Sequence, residues 1–387
     1  MRLRNLGPGL LVAAAFIGPG TIVTASRAGA SYGATLLWAV VFSAVATAVL
    51  QEMAARVGLV TRKGLSEAIR ESFSKPSLRF LSLGLVALAI TFGNAAYETG
   101  NLLGASLGLE ILSGLSPKLW AFVIAVVAFT LLASGTYRLI QRVLVGLVVF
   151  MSFVFLVTAI LSKPSLGELA RGLVPSVPPG SLLTILALIG TTVVPYNLFL
   201  HASTVQEKWP QTRPTGEALT ESRFDTALSV GLGGLVTIAV LVNATPLSEV
   251  SSLDPWGRRL FGLGLFAAGL TSAITAPLAA AYATSGAFGW ERDLSSLRFR
   301  AVWSFVIVTG FVLTLAGGSP TEAIVLAQAA NGLLLPLIAV FLLFVVNDPK
   351  LMGAFRNRGR ANLLGALVVL VVMGLGAYQL LRVFGAM

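Results

Sequence analysis

Cysteine is absent from the 387 residues, histidine occurs once, and charged side chains make up only 11%. Without thiols the chain has no disulfide and no thiolate metal ligand. Soluble domains carry about 25% charged residues. So little charge, beside 56% hydrophobic residues, excludes a soluble globular protein. Segments of alternating hydrophobicity about ten residues long are also lacking, which excludes a transmembrane β-barrel. Catalytic signatures are equally sparse: no paired catalytic aspartates, no metal-protease motif, and one histidine to serve any nucleophile. The chain is therefore expected not to be an enzyme and to need no cofactor.

What is present is a succession of apolar runs, each able to cross a hydrocarbon core of about 30 Å as a helix of about 20 residues. Eleven spans are expected, at about 8–30, 33–56, 80–107, 118–137, 143–162, 181–206, 224–244, 258–287, 301–316, 321–346 and 363–383. The start, Met1-Arg2-Leu3-Arg4, has the charge of a signal peptide. The apolar stretch after it is long, interrupted by Pro19 and without a small-residue cleavage site, so it reads as the first span.

The net charge of +11 is a topology signal. With the N-terminus in the cytoplasm, twenty of the 27 Lys and Arg residues fall in inner segments, among them Arg56, Arg62, Lys63, Arg138, Arg142, Arg292, Arg356 and Arg358. The positive-inside rule then sets the N-terminus inside and the C-terminus outside a prokaryotic-type plasma membrane. Nucleic acid is excluded as a partner; the bilayer is the expected one, and no obligatory protein partner is implied. The inner segment Gly64 to Ser74 forms an amphipathic helix with Leu65, Ile69 and Phe73 on one face, expected to lie at the membrane interface. The outer segments Lys163–Gly180 and Thr245–Gly257 carry the prolines of turns.

Two spans are broken in their middle. Gly18-Pro19-Gly20-Thr21 interrupts the first, and Gly190-Thr191-Thr192-Val193-Val194-Pro195-Tyr196-Asn197 the sixth. Proline removes a donor and clashes with the preceding turn, while glycine lets the chain leave helical geometry. Backbone groups freed at mid-membrane must face protein, water or a bound solute. Interrupted spans in corresponding positions of two halves point to a transport site at the midplane. Eleven spans divide into five, five and one, and odd-numbered repeats in sequence are inverted in topology. One transporter domain is expected: repeat one at about 8–162, repeat two at about 181–346, and an extra helix at about 363–383.

Several segments carry a family resemblance. These are Gln51-Glu52-Met53-Ala54-Ala55-Arg56 with Gly58-Leu59-Val60-Thr61, Pro195-Tyr196-Asn197-Leu198-Phe199-Leu200-His201, Ala268-Gly269-Leu270-Thr271-Ser272, Ala327-Gln328-Ala329-Ala330-Asn331, and Asn347-Asp348-Pro349-Lys350-Leu351-Met352-Gly353. Through them the chain resembles the Nramp family of divalent-metal transporters. The resemblance implies an all-α polytopic LeuT-like fold with a 5+5 inverted repeat, an eleventh helix and broken spans 1 and 6. It also implies that Gln328 and Asn331 face the site.

The departures from that family bear on substrate. Gly18 and Thr21 stand where the family's Asp-Pro-Gly-Asn motif has its metal-ligating aspartate and asparagine. Val194 and Tyr196 stand where it has methionine and histidine, and Ala95 replaces an aspartate before Glu98. Carboxylate, amide and thioether are missing from the ligand shell. The half-helices after Gly20 and Pro195 would instead aim positive dipole ends into the site. Gly18 would open space there, and Thr21, Thr24, Tyr196 and Asn197 would donate to a small oxyanion. The expected function is uptake of a small anion, bicarbonate above all, by alternating access. The alternative is a divalent cation, Mg²⁺ or Mn²⁺.

An anion entering a negative cytoplasm needs a co-transported cation. Thr271 and Ser272 match the hydroxyl pair that binds sodium in LeuT-fold symporters. A Na⁺ site is expected from them with Thr275 and carbonyls near Phe16 or Ile17, set against the plainer reading that small polar residues pack helices. Glu98, mid-span, is a proton or ion relay or the partner of an arginine such as Arg138. His201 resembles a family position in a proton path, or is a packed core histidine.

Overall fold

The computed structural model describes residues 7–73, 75–243, 255–316 and 335–383. Gln328 and Asn331 lie outside them, as does most of the expected tenth span. The described residues are almost entirely helical: α1 Pro8–Phe16, α2 Pro19–Tyr32, α3 Leu37–Thr61, α4 Leu65–Ser72, α5 Pro76–Ser113, α6 Pro117–Ala133, α7 Tyr137–Leu161, α8 Leu166–Gly172, α9 Leu182–Thr192, α10 Pro195–Lys208, α11 Thr215–Asn243, α12 Pro255–Phe288, α13 Leu297–Ala316, α14 Leu335–Asn347, α15 Pro349–Met352 and α16 Gly359–Val383. Seven helical stretches among them are long and apolar enough to cross a membrane, or eight if the pair bent by 60° at Asp348 counts as one.

Prolines set many of the beginnings. Pro8, Pro19, Pro76, Pro117 and Pro195 each open a helix in its first turn, where the missing N–H costs nothing. Glycines in the left-handed region end α5 at Gly114 (φ 72°) and turn the chain at Gly135 (φ 62°).

Helix α12 is the hub, packed along α5 and against α7, α13 and α10. Its seam with α5 is lined with small residues. A Cβ on Gly269 would lie 2.5 Å from the backbone N of Ala105, and one on Gly108 2.5 Å from the Gly262 carbonyl oxygen. Such close approach is how membrane helices gain dispersion energy where lipid supplies no hydrophobic drive. The two broken spans lie antiparallel in this frame: α1 packs on α10 and α2 on α9.

Three expectations change. Helix α4 does not lie free at the interface; Leu65 and Ile69 are fully buried, α4 packs on α12, and Phe73 meets Phe341 edge-on at 5.9 Å. Within Lys163–Gly180 the chain forms α8, whose Gly172 lies against the Ala34 backbone. Pro255 to Gly257 begin α12 rather than closing a loop.

Candidate functional site

The first break is narrow. Helix α1 stops at Phe16, Ile17 leaves helical geometry (ψ 63°), Gly18 is extended, and α2 restarts at Pro19. The second lies at Val193 (ψ 81°) and Val194 (ψ 122°), so Gly190 to Thr192 remain helical and only the last part of the expected break is one. The two meet. The Thr21 hydroxyl donates to the Phe16 carbonyl at 2.5 Å and lies 3.4 Å from the Thr191 carbonyl across the gap. Thr47 on α3 donates to the Thr192 carbonyl at 3.2 Å. Side chains on neighbouring elements thus supply the donors that the interrupted helices lost.

The donors of α10 and α12 converge on α1. Tyr196 donates its hydroxyl to the Ala15 carbonyl at 3.1 Å, Ser272 approaches the same oxygen at 3.4 Å, and Asn197 Nδ2 donates to the Val12 carbonyl at 3.4 Å. That leaves Asn197 Oδ1 as a buried acceptor with no hydrogen-bond partner among the described residues. Tyr196 also meets Tyr97 of α5 edge-on, ring centroids 5.6 Å apart. Gly18 does not open space: a Cβ there would sit 2.6 Å from Ser272 Oγ and 3.4 Å from the Tyr97 hydroxyl. Thr24 is buried one turn further along α2.

Of the hydroxyls expected to hold sodium, Ser272 reaches a carbonyl of α1, and it is that of Ala15, not Phe16 or Ile17. Thr271 donates to the Ala268 carbonyl and Thr275 to that of Thr271, both within α12.

The two ionisable candidates sit on different helices. Glu98 is fully buried on α5; its Oε2 accepts from Asn101 Nδ2 at 3.1 Å and its Oε1 has no partner among the described residues. Gly310 of α13 lies against it, and a Cβ there would come within 2.6 Å of the Glu98 side chain. Asn101, rather than Arg138, is its companion. His201 pairs through Nδ1 with Gln51 Oε1 of α3 at 3.1 Å, and its Nε2 is unpartnered among the described residues. Among the described residues no three His, Cys, Asp or Glu side chains cluster as a metal site.

Sequence reasoning missed Asp225. This buried carboxylate of α11 accepts from the backbone N–H of Gly7 at 3.1 Å and of Gly9 at 2.7 Å, capping the N-terminus of α1. The only signal was an acid at the edge of an expected span, and its partners lie more than 200 residues away. Glu52 is structural, as its surroundings show: it bridges Arg56 at 3.1 Å and Arg223 at 3.0 Å.

Comparison with known proteins bears on these residues. A model of the family described as natural resistance-associated macrophage protein-like, Nramp, matches residues 9–252 and 250–382. A divalent metal cation transporter MntH of Yersinia pestis is 29% identical over 98% of this chain and 95% of its own length. One from Pectobacterium carotovorum is 28% identical over the same shares. Among solved structures, the manganese transporter of Eremococcus coleocola superposes with a TM-score of 0.84 at 25% identity, covering 98% of this chain and 87% of that one.

These relatives overturn the anion expectation. They are named for divalent cations, so neither bicarbonate nor a small-anion partner stands, and sodium symport, invoked to carry that anion inward, falls with them. The geometry supplies the physical reason. The donors assigned to an oxyanion, on Thr21, Tyr196 and Asn197, are already turned to backbone carbonyls, and the Asn197 N–H is taken by the Val194 carbonyl. With three of the four assigned side chains so engaged, Thr24 being the exception, the site presents chiefly acceptors.

Proposed function

The chain belongs to the Nramp family, with its LeuT-like fold, and on that premise we propose that it is a secondary transporter carrying a divalent metal cation between its paired helix breaks by alternating access. It is a multi-pass membrane protein of a transporter family rather than an enzyme family. The observation that carries the reading is the buried Asn197 Oδ1, unpartnered among the described residues, on a side chain whose nitrogen is held by the Val12 carbonyl of α1 beside the breaks. Gly18, Pro19, Gly20, Thr21, Val194, Pro195 and Tyr196 frame that place.

The donor set selects a hard ion. Hydroxyl, carbonyl and amide oxygens suit Mg²⁺ or Mn²⁺, and Val194 offers none of the softness of a thioether. With no carboxylate at Gly18, the ion keeps several of its waters, as magnesium ordinarily does. A doubly charged cation also needs no co-ion to enter a negative interior, since the membrane potential contributes about 2.3 kcal/mol per charge per 100 mV. Glu98 and His201 serve as relays on the flanks, each buried with one polar atom unpartnered among the described residues. The N-terminus faces the cytoplasm, and each broken span opens one half of a single transporter domain.

The test is uptake of Mn²⁺ and of Mg²⁺ into proteoliposomes holding an inside-negative potential. Accumulation of either, lowered in Asn197→Ala, is expected; no flux of either cation in correctly folded protein overturns the reading.

A further inference from the structure

At the positively charged end of the molecule, the turn between α15 and α16 borders an open polar cavity of about 790 Å³. Arg356 and Arg358 line it with Asn347, Asn357 and Asn362, and no acidic residue does. Its floor is built. Buried Arg56 donates to the Phe355 carbonyl at 2.7 Å and to Asn357 Oδ1 at 2.6 Å, the Asn357 N–H reaches the Val346 carbonyl at 2.9 Å, and Asn357 Nδ2 donates to Asn362 Oδ1 at 3.0 Å. The guanidinium groups of Arg356 and Arg358 have neither an ion pair nor a hydrogen bond among the described residues, and both side chains are exposed. Two unneutralised guanidiniums over a fixed amide floor suit the oxygens of a phosphate.

One turn away the chemistry changes. A groove of about 340 Å³ runs between α3, α11 and α16, walled by Val45, Val49, Met53 and Leu364. At its head Glu52 and Arg223 neutralise each other at 3.0 Å. Gly359 and Asn362 line the cavity while Ala361 and Leu364 line the groove, so the first turn of α16 joins the two. Beyond it Leu363, Leu367 and Leu370 are exposed along α16.

We propose that this composite surface binds one anionic phospholipid, its phosphate between Arg356 and Arg358 and an acyl chain in the groove beside Leu364. Charge complementarity selects the headgroup, and the adjoining apolar groove selects a lipid over a soluble phosphate, for which the groove would have no use. The inference is independent of which ion is transported.

The full-length protein in detergent tests it by native mass spectrometry and thermal unfolding, with phosphatidylglycerol, phosphatidylcholine and glycerol 3-phosphate as separate additions. Phosphatidylglycerol is expected to remain bound and to raise the melting temperature, and the other two are not. The double variant Arg356→Ala/Arg358→Ala, confined to exposed side chains, should weaken phosphatidylglycerol binding at least about tenfold. Leu364→Trp, which fills the groove, should weaken it as well. Equal binding of phosphatidylcholine, an equal shift with glycerol 3-phosphate alone, or undiminished binding by the arginine double variant overturns the proposal.

Discussion

Asn197 does two things with one amide. Its nitrogen anchors α10 to the Val12 carbonyl, and that anchor settles which way its oxygen points. Removing the amide in Asn197→Ala should lower kcat/KM for Mn²⁺ by about tenfold, about 1.4 kcal/mol, measured as initial uptake rates. Gly18 makes the converse case. Aspartate there would add the carboxylate a divalent cation prefers, but its Cβ collides with Ser272 Oγ at 2.6 Å. Gly18→Asp alone should therefore melt earlier, whereas Gly18→Asp/Ser272→Ala should fold and bind Mn²⁺ with at least about tenfold lower KM. That Gly18 is crowded was illegible in the sequence. Glycine says that a side chain is missing, and only the neighbours say whether the room is free.

Among the elements, α1 depends most on a distant partner. It is nine residues long, entirely buried and opened by Pro8. Its first amides are satisfied by Asp225, so Asp225→Ala strands two buried donors, at about 1–3 kcal/mol each. A fall in melting temperature of several degrees is expected, larger than for Asp225→Asn, whose amide oxygen still accepts from one of them. Helices α3 and α10 cross where Gly58 lies against the Ala202 carbonyl and Val205. Gly58→Ala should cost about 1–3 kcal/mol of overpacking, read as a lowered melting temperature. The helices themselves were legible, because uninterrupted apolar length and proline at the first turn are local signals. The Asp225 cap and the Gly58 crossing were not, since each joins residues far apart in the chain.

At the scale of the molecule, charge should orient the fold. Arg56, Arg62, Arg292 and Arg356 gather at one end, where Arg62 donates to the Trp209 carbonyl at 2.6 Å and Arg292 pairs with Glu67 at 3.2 Å. With this end cytoplasmic, and because the chain has no cysteine, single cysteines can report its sidedness. Lys75→Cys should resist a membrane-impermeant maleimide in intact cells, while Ser176→Cys, at the opposite end, should react. The reverse pattern would invert the topology. The resemblance carried by the segments at the end of span 2 and within spans 6 and 8 identified the family and fold, because those stretches are contiguous in sequence. The substrate was misjudged from the departures at the breaks, Gly18 above all, because a missing ligand was taken as a vacancy for a charge of the opposite sign.

The sequence by itself determined the membrane, the helices and the two interruptions, since apolar length, proline and charge act locally and need no partner. Only the tertiary structure decided what the interruptions present to a solute. The hydroxyl and amide donors near them are bonded to carbonyls of a helix almost 200 residues distant in the chain, and which groups remain free after that pairing is a property of packing.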